Sequence, residues 1–147
     1  MGNALFYHLT RSSADQLLPA LIGKSLAAGW RVELRGTDRA RMERLDELLW
    51  LGEGFLPHGL AGGPHDALQP VLLTTGAGEI APDCLITVDG ATADPAACGS
   101  MQRVCVVFDG NDAAAVDQAR GQWRALTGAG IAAEYWSEAG GRWEKKA

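Results

Sequence analysis

The sequence predicts an α/β protein, a three-layer sandwich in which one mostly parallel, mixed sheet lies between two layers of helices. Short apolar segments that are typical of strands recur along the chain, separated by longer segments with helical periodicity. Alternation of this kind indicates parallel strands joined by crossover helices. The length of 147 residues and the hydrophobic content of 47% suit a single domain over residues 1–147.

The first strand and helix are predicted near the N-terminus. Residues 4–9 form an apolar segment that predicts a strand, and Ser12 or Ser13 can cap the helix that follows. Pro19 lies inside this helix and removes a backbone donor, so we expect a kink or a late helix start. Gly29 is expected to end the helix, because glycine adopts the left-handed conformation of a helix terminus.

A second strand and helix follow, and then a long loop. Apolar and charged side chains alternate over residues 30–35, which predicts the second strand. Thr37 is expected to cap the second helix, with Asp38 in its first turn, where a carboxylate stabilises the helix dipole. Residues 52–69 are rich in glycine and proline and predict a loop of a length that is usually functional in a compact domain.

The second half of the chain predicts a similar alternation. Three strands, a third helix and a last strand are expected over residues 71–74, 84–88, 103–108, 113–127 and 131–136. The segment at 103–108 is the strongest predicted strand of the chain. Residues 138–147 are expected to form a frayed tail.

Charge is distributed unevenly along the chain, whose net charge is −5. Residues 45–102 contain eight acidic side chains and no lysine or arginine. Such a surface repels phosphate backbones, so a role on DNA would be indirect, through a protein partner. The chain also lacks a basic leader and any apolar run of the roughly 20 residues that span a bilayer, which predicts a cytoplasmic protein without membrane contact.

Nucleotide-binding motifs are incomplete in this sequence. Gly23, Lys24 and Ser25 resemble the end of a phosphate-binding loop, but Leu18 stands where that motif needs its first glycine. The first strand–helix turn, residues 10–14, contains no glycine and therefore lacks the dinucleotide fingerprint. We expect no cofactor.

Metal-binding and catalytic patterns are also absent from the sequence. His58, His65 and Asp66 share the long loop, but their spacing fits no standard zinc site. The three cysteines are widely spaced and odd in number, which disfavours a disulfide framework. We therefore predict no metal site, no catalytic residue and no enzymatic activity.

One tryptophan lies on the wrong face of the second predicted helix. The apolar stripe of that helix consists of Met42, Leu45, Leu48 and Leu49. Trp50 lies about 130° from the centre of this stripe, among acidic neighbours. Together with Phe55 and Leu56, it could form an apolar anchor for a partner peptide. Alternatively, the 52–69 loop folds back and covers Trp50.

A second candidate site lies on the third predicted helix. Its core stripe consists of Val116, Ala119, Trp123 and Leu126, with Arg120, Arg124 and Thr127 along the shoulder. Arginine can bind a carboxylate with two hydrogen bonds while a neighbouring aromatic ring contacts an apolar side chain. A peptide that ends in a hydrophobic residue with a free carboxylate would suit this arrangement. Alternatively, the arginines are solvated and only their stems pack on the helix.

Five colinear blocks resemble a known family, the chi subunit of bacterial DNA polymerase III. They are NALFY at residues 3–7, LDELLW at 45–50, FLPHGLAG at 55–62, PVLL at 70–73 and ARGQWR at 119–124. The likeness covers nearly the whole chain, and the second and third blocks are its most specific parts. It implies a Rossmann-like α/β fold that binds no nucleotide, in a non-catalytic accessory subunit of the clamp-loader assembly.

The resemblance also implies two partners. The region matching Trp50, Phe55 and Leu56 joins a psi-like clamp-loader subunit. The region matching Arg120, Trp123 and Arg124 holds the acidic, Phe-terminated C-terminal tail of single-stranded DNA-binding protein, with Trp123 replacing a family tyrosine. Asp109 stands where the family has a valine that lines the tail pocket, and an acid there would repel an acidic tail unless it points away.

Two other functions fit the predicted fold. A small α/β nucleotide-binding enzyme would have a convergent polar pocket at the carboxyl ends of the strands. A helicase adaptor could use the same apolar patch around Trp50.

Overall fold

The computed structural model of the protein describes residues 3–51, 58–62, 69–76 and 82–147. Within these ranges the chain forms strands and helices in the order β1 (Asn3–Leu9), α1 (Ala14–Ala27), β2 (Val32–Arg35), α2 (Arg39–Leu51), β3 (Gly59–Leu60), β4 (Val71–Thr74), β5 (Cys84–Thr87), α3 (Pro95–Cys98), β6 (Arg103–Asp109), α4 (Ala113–Gly128), β7 (Ala132–Ser137) and β8 (Glu144–Lys145).

All of these strands belong to one sheet with the order β3-β4-β2-β5-β6-β1-β7-β8. Neighbouring strands are parallel throughout, except that β8 runs antiparallel to β7. Strand β1 lies between β6 and β7, with Phe6 opposite Val106 on one side and Tyr135 on the other. The predicted α/β fold with a mostly parallel, mixed sheet is therefore confirmed.

Two apolar cores cover the two faces of the sheet. Helices α1 and α2 pack on one face through Leu18, Ile22, Met42, Leu45 and Leu49. Helices α3 and α4 pack on the other face through Cys98, Ala119 and Leu126. Strand β1 serves both cores because successive side chains of a strand point to opposite faces: Leu9 enters the first core, and Ala4 and Phe6 enter the second. This is the three-layer arrangement that the Rossmann-like resemblance implies.

The boundaries of α1 follow from its first turn. The Ser13 hydroxyl accepts a hydrogen bond from the Gln16 backbone N–H, and the Gln16 side chain accepts one from the Ser13 N–H. This capping box fixes the start of the helix before Pro19, so the expected late start is wrong. Gly29 follows the C-terminal end with φ of +81°, as predicted.

The predicted cap of α2 is wrong by one residue. The helix begins at Arg39, and the Asp38 carbonyl accepts the hydrogen bond from the Met42 N–H. Asp38 therefore precedes the helix instead of lying in its first turn. The Thr37 hydroxyl donates to the Asp89 carbonyl and links this turn to the end of β5.

Three positions on the helix wheels differ from prediction. Leu48 is 37% exposed although it falls on the apolar stripe of α2. On α4, Val116 is only partly buried, whereas the polar Gln122 is buried. The Gln122 amide donates to the Ala93 carbonyl and accepts from the Ala93 N–H, so both of its polar ends are satisfied in the core.

The long loop predicted at 52–69 contains a short strand. Strand β3 pairs in parallel with β4, with Gly59 opposite Leu72, and extends the sheet by one strand. Residues 52–57 and 63–68 lie outside the described residues. The four-residue helix α3 was also not predicted. It begins with an Asp94 cap and a proline in its first turn.

The C-terminal residues, which we expected to fray, form part of the sheet. Ser137 of β7 pairs with Glu144 of β8. The backbone pairing continues from Tyr135 to Ala147, because the Tyr135 N–H donates to the Ala147 carbonyl and the Tyr135 carbonyl accepts from the Lys146 N–H. Trp143 also packs edge-on against Tyr7, with ring centroids 5.6 Å apart. The prediction of a frayed tail is therefore wrong.

Glu138 joins the end of β7 to the turn between β1 and α1. Its side chain is almost fully buried, with the residue 5% exposed. One carboxylate oxygen accepts the backbone N–H groups of Thr10, Arg11 and Ser12, and the other accepts the Ser12 hydroxyl at 2.9 Å. Burial raises the pKa of Glu138, but the hydrogen bonds from Ser12, Arg11 and Thr10 outweigh it and lower that pKa below its ordinary value.

This depressed pKa predicts an acid-sensitive contribution to stability. The contribution is fully present above the ordinary glutamate pKa of 4.5 and is lost as pH falls from there through the lowered folded-state pKa. Glu138→Gln should lower the free energy of unfolding by about 1–3 kcal/mol at pH 7, because an amide is a weaker acceptor for this donor set. Urea unfolding across pH 3–7 measures both effects.

Glu144→Gln is the matched control, since Glu144 lies nearby on β8 and its side chain is exposed. Its unfolding curve should follow that of the wild type at every pH. If Glu138→Gln also followed the wild type, the buried hydrogen bonds of Glu138 would contribute nothing to stability.

Candidate functional site

Trp123 of α4 connects the core to the protein surface. Its ring packs edge-on against Phe6 of β1, with centroids 5.2 Å apart, and against Tyr135 of β7 at 6.1 Å. Phe6 is fully buried, whereas Trp123 and Tyr135 are only partly buried. We call the surface formed by Arg120, Trp123, Arg124, Thr127 and Tyr135 the α4–β7 surface. The first four of these residues are the predicted tail-binding residues, and Tyr135 was not predicted.

The two arginines of this surface are available to a ligand. The Arg120 side chain is 66% exposed, and its guanidinium lies 3.9 Å from the Asp117 carboxylate one turn earlier. An exposed ion pair at this distance contributes little stability, so a ligand carboxylate can replace it. Arg124 is exposed on the next turn of the same shoulder. The Thr127 hydroxyl donates to the Trp123 carbonyl at 2.8 Å and so bonds within the helix.

Sequence reasoning missed the aromatic side chains beside Trp123. The His8 Nδ1 atom lies 2.6 Å from the Tyr135 hydroxyl, and the His8 ring packs against Phe108 at 5.2 Å. Burial raises the pKa of Tyr135, and the nearby Arg120 guanidinium opposes that shift without cancelling it. The phenol therefore stays protonated near neutral pH. The alternation of side chains between the two faces of β1 and β7 shows in the sequence which residues share a face. It does not show which strands are neighbours in the sheet.

Asp109 lies on the other flank of α4. It lines a cavity of about 710 Å³ together with Gln118, and its carboxylate accepts the Asn111 backbone N–H. Gln118 and Arg120 are two residues apart on the helix, a rotation of roughly 200°. Asp109 thus lines a different surface from Arg120.

The cavity beside Asp109 lies at the carboxyl ends of β1 and β6. A nucleotide-binding enzyme would have its pocket at this position. The helix that follows β1, α1, packs on one face of the sheet and the helix that follows β6, α4, packs on the other, and ligands bind where the connections diverge in this way. Its charged lining includes Asp89, Asp109 and Asp112. Arg41 also lines it, but already pairs with the carboxylates of Asp15 and Asp89.

The first strand–helix turn, where dinucleotide-binding folds hold phosphate, is occupied by the protein itself. The backbone N–H groups that would face a phosphate point at the Glu138 carboxylate. A nucleotide would have to displace this buried side chain. Within the described ranges, we also find no group of three or more His, Cys, Asp or Glu side chains that could hold a metal ion.

The second candidate surface surrounds Trp50 near the end of α2. Among the described residues, Trp50 at 51% and Leu48 at 37% are the large apolar side chains left exposed. Trp50 stacks on His58, with ring centroids 4.2 Å apart and planes at 34°. Phe55 and Leu56, the other two predicted members of this site, lie outside the described residues.

His58 supports Trp50 from the protein side. Its side chain is fully buried, and its Nε2–H donates to the Asp46 carbonyl at 3.0 Å, with the Asp46 carboxylate 3.1 Å away. The chain after α2 therefore does return to Trp50, as one of the two sequence-based alternatives requires. It contacts one side of the indole and leaves about half of the residue exposed.

Comparison with known proteins identifies the family. The sequence model of a family described as DNA polymerase III chi subunit, HolC, matches residues 1–134. No individual curated protein matches the chain. Among the described residues, no helix is long and apolar enough to cross a membrane. Since the match covers nearly the whole chain, the protein belongs to the DNA polymerase III chi subunit family and is an accessory subunit of that polymerase.

Proposed function

We propose that this subunit tethers the clamp-loader assembly to the acidic, Phe-terminated C-terminal tail of single-stranded DNA-binding protein, and that it catalyses no reaction of its own. The observation that carries the proposal is the α4–β7 surface. There, a partly buried indole borders two exposed guanidinium groups on the same helix. A peptide that is apolar at its end and acidic before it complements this surface in both shape and charge.

Each part of the surface has a separate role in the proposed complex. The terminal apolar side chain packs against Trp123, whose orientation is fixed by its contacts with Phe6 and Tyr135. Arg120 and Arg124 bind carboxylates. Thr127, whose hydroxyl donates to the Trp123 carbonyl, lies one turn further along the helix at the end of the surface. Because these charges are exposed, salt screens them over about 8–10 Å, and binding should weaken as the salt concentration rises.

Two features support a role without catalysis. The turn that would bind phosphate holds the Glu138 carboxylate. The cavity at the strand ends is bordered by several acidic side chains, which would repel a nucleotide phosphate. The protein shares the sheet architecture of nucleotide-binding enzymes but presents carboxylates at the position where they bind their ligand.

We propose the patch around Trp50 as the second contact, with a psi-like clamp-loader subunit as its partner. A half-exposed indole is the kind of anchor that contributes most to a protein interface. His58 holds the indole in place before a partner arrives, which reduces the entropy lost on binding. Phe55 and Leu56 belong to the same proposed contact.

The tail site is tested with an acidic peptide ending in phenylalanine. Arg120→Ala should weaken its binding by roughly 1–3 kcal/mol through loss of charged hydrogen bonds, and Arg124→Ala should have an effect of the same sign. Calorimetry at two salt concentrations measures the affinity. Arg142→Ala, which removes an exposed arginine elsewhere on the surface, is the control and should bind like the wild type. Unchanged affinity in both α4 variants would overturn the assignment.

The partner patch is tested by Trp50→Ala. The variant should keep the melting temperature of the wild type within a few degrees, because about half of the residue is already exposed. It should lose co-purification with clamp-loader subunits from cells while still binding the tail peptide. Loss of a helicase instead would indicate the adaptor alternative. Unfolding of the variant would show that Trp50 is part of the core.

The nucleotide-binding alternative makes the opposite prediction for thermal stability. A nucleotide at a concentration far above its dissociation constant should raise the melting temperature by several degrees. We expect ATP, GTP and NAD each to leave the melting temperature unchanged, because Glu138 occupies the phosphate position. Differential scanning fluorimetry measures this, and a clear upward shift would argue for a ligand-binding function.

A further inference from the structure

Tyr135 lies on the α4–β7 surface, one position after the residues 1–134 that the family model matches. Its ring lies 6.1 Å from Trp123, and the positive charge of Arg120 is close enough to act on its phenol. The phenol therefore lies close to both the indole and the guanidinium that are proposed to hold the tail.

The Tyr135 hydroxyl is held in position by His8. The two side chains are brought together because Phe6 and Tyr135 are opposite each other in the β1–β7 pairing, and His8 is two residues further along the same face of β1. The His8 ring is fixed in turn by Phe108 at 5.2 Å and by the backbone of Gly110. A Cβ atom at Gly110 would lie 1.8 Å from a ring carbon of His8, so only glycine allows this close packing.

The direction of the His8–Tyr135 hydrogen bond decides what the phenol can offer a ligand. A phenol has one proton and can also accept a hydrogen bond. When the imidazole carries its proton on Nδ1, it donates to the phenol oxygen and leaves the hydroxyl proton free. The hydroxyl can then donate to an anion at the surface while the imidazole holds its oxygen in place.

We propose that Tyr135, positioned by His8, is a third donor of the tail site and hydrogen-bonds the α-carboxylate of the terminal residue. This inference rests on the proposed function. The arginines provide charge and would pair with any carboxylate of an acidic tail. A phenol fixed beside the indole is directional, and it contacts the one carboxylate that lies next to the terminal side chain. The site would therefore select a free C-terminus over an internal acidic segment.

The test compares two forms of one peptide, acidic and ending in phenylalanine, made as the free acid and as the C-terminal amide. Tyr135→Phe keeps the ring that contacts Trp123 and removes only the hydroxyl. We expect its dissociation constant for the free acid to rise roughly tenfold. Its affinity for the amide should stay within twofold of the wild-type value, because the amide lacks the charged acceptor.

Tyr7→Phe is the matched control. Tyr7 is the only other tyrosine of the chain, and it lies on the opposite face of β1 against Trp143. It should bind both peptides like the wild type. His8→Leu tests the positioning role and should weaken binding of the free acid alone, by a smaller factor than Tyr135→Phe. Thermal unfolding of each variant shows that the fold is retained.

The outcomes separate this inference from the proposed function. If the wild type binds neither peptide, the proposed tail site is wrong, and the proposed role of Tyr135 is wrong as well. If the wild type prefers the free acid and Tyr135→Phe shows the same preference, only the assignment of Tyr135 is overturned. Equal weakening of both peptides would likewise overturn it, since that result indicates general loss of packing.

Discussion

The parallel pairing of β1 with β6 on one side and β7 on the other is the constraint on which the α4–β7 surface depends. It places Phe6 beneath Trp123 and brings His8 to Tyr135 across 127 residues of sequence. The same pairing puts the β1–α1 turn within reach of Glu138, which follows β7. The same strand pairing therefore determines both the packing of the core and the positions of the residues on the proposed binding surface.

This arrangement explains how a fold typical of nucleotide binding can serve a different function. Parallel strands end at a common edge, where helix N-termini and free backbone N–H groups create an anion site. In this protein the anion at that site is a carboxylate of the chain itself. The exposed guanidinium groups lie instead on the outer shoulder of α4, where they can meet an acidic chain segment.

The two proposed binding surfaces share one design. In each, an indole that is only partly buried rests on an aromatic or imidazole ring fixed from the protein side: Trp123 on Phe6, and Trp50 on His58. A supported indole keeps its apolar face in the position that a partner needs and loses little conformational freedom on binding. The surfaces differ in charge, because arginines flank Trp123 whereas the neighbours of Trp50 on α2 include Asp46 and Glu47.

The sequence by itself determined the order of the longer strands and helices, without β3, α3 and β8, together with the anomalous position of Trp50 and the shoulder of arginines beside Trp123. These are local properties that periodicity along one helix or strand records. Only the tertiary structure decided that Leu48 is exposed, that Gln122 is buried against Ala93 and that the C-terminal residues pair as β8. It also decided the neighbours of β1, and with them the contacts of Tyr135 and Glu138. Such contacts join residues far apart in sequence, and periodicity holds no information about which strands lie side by side.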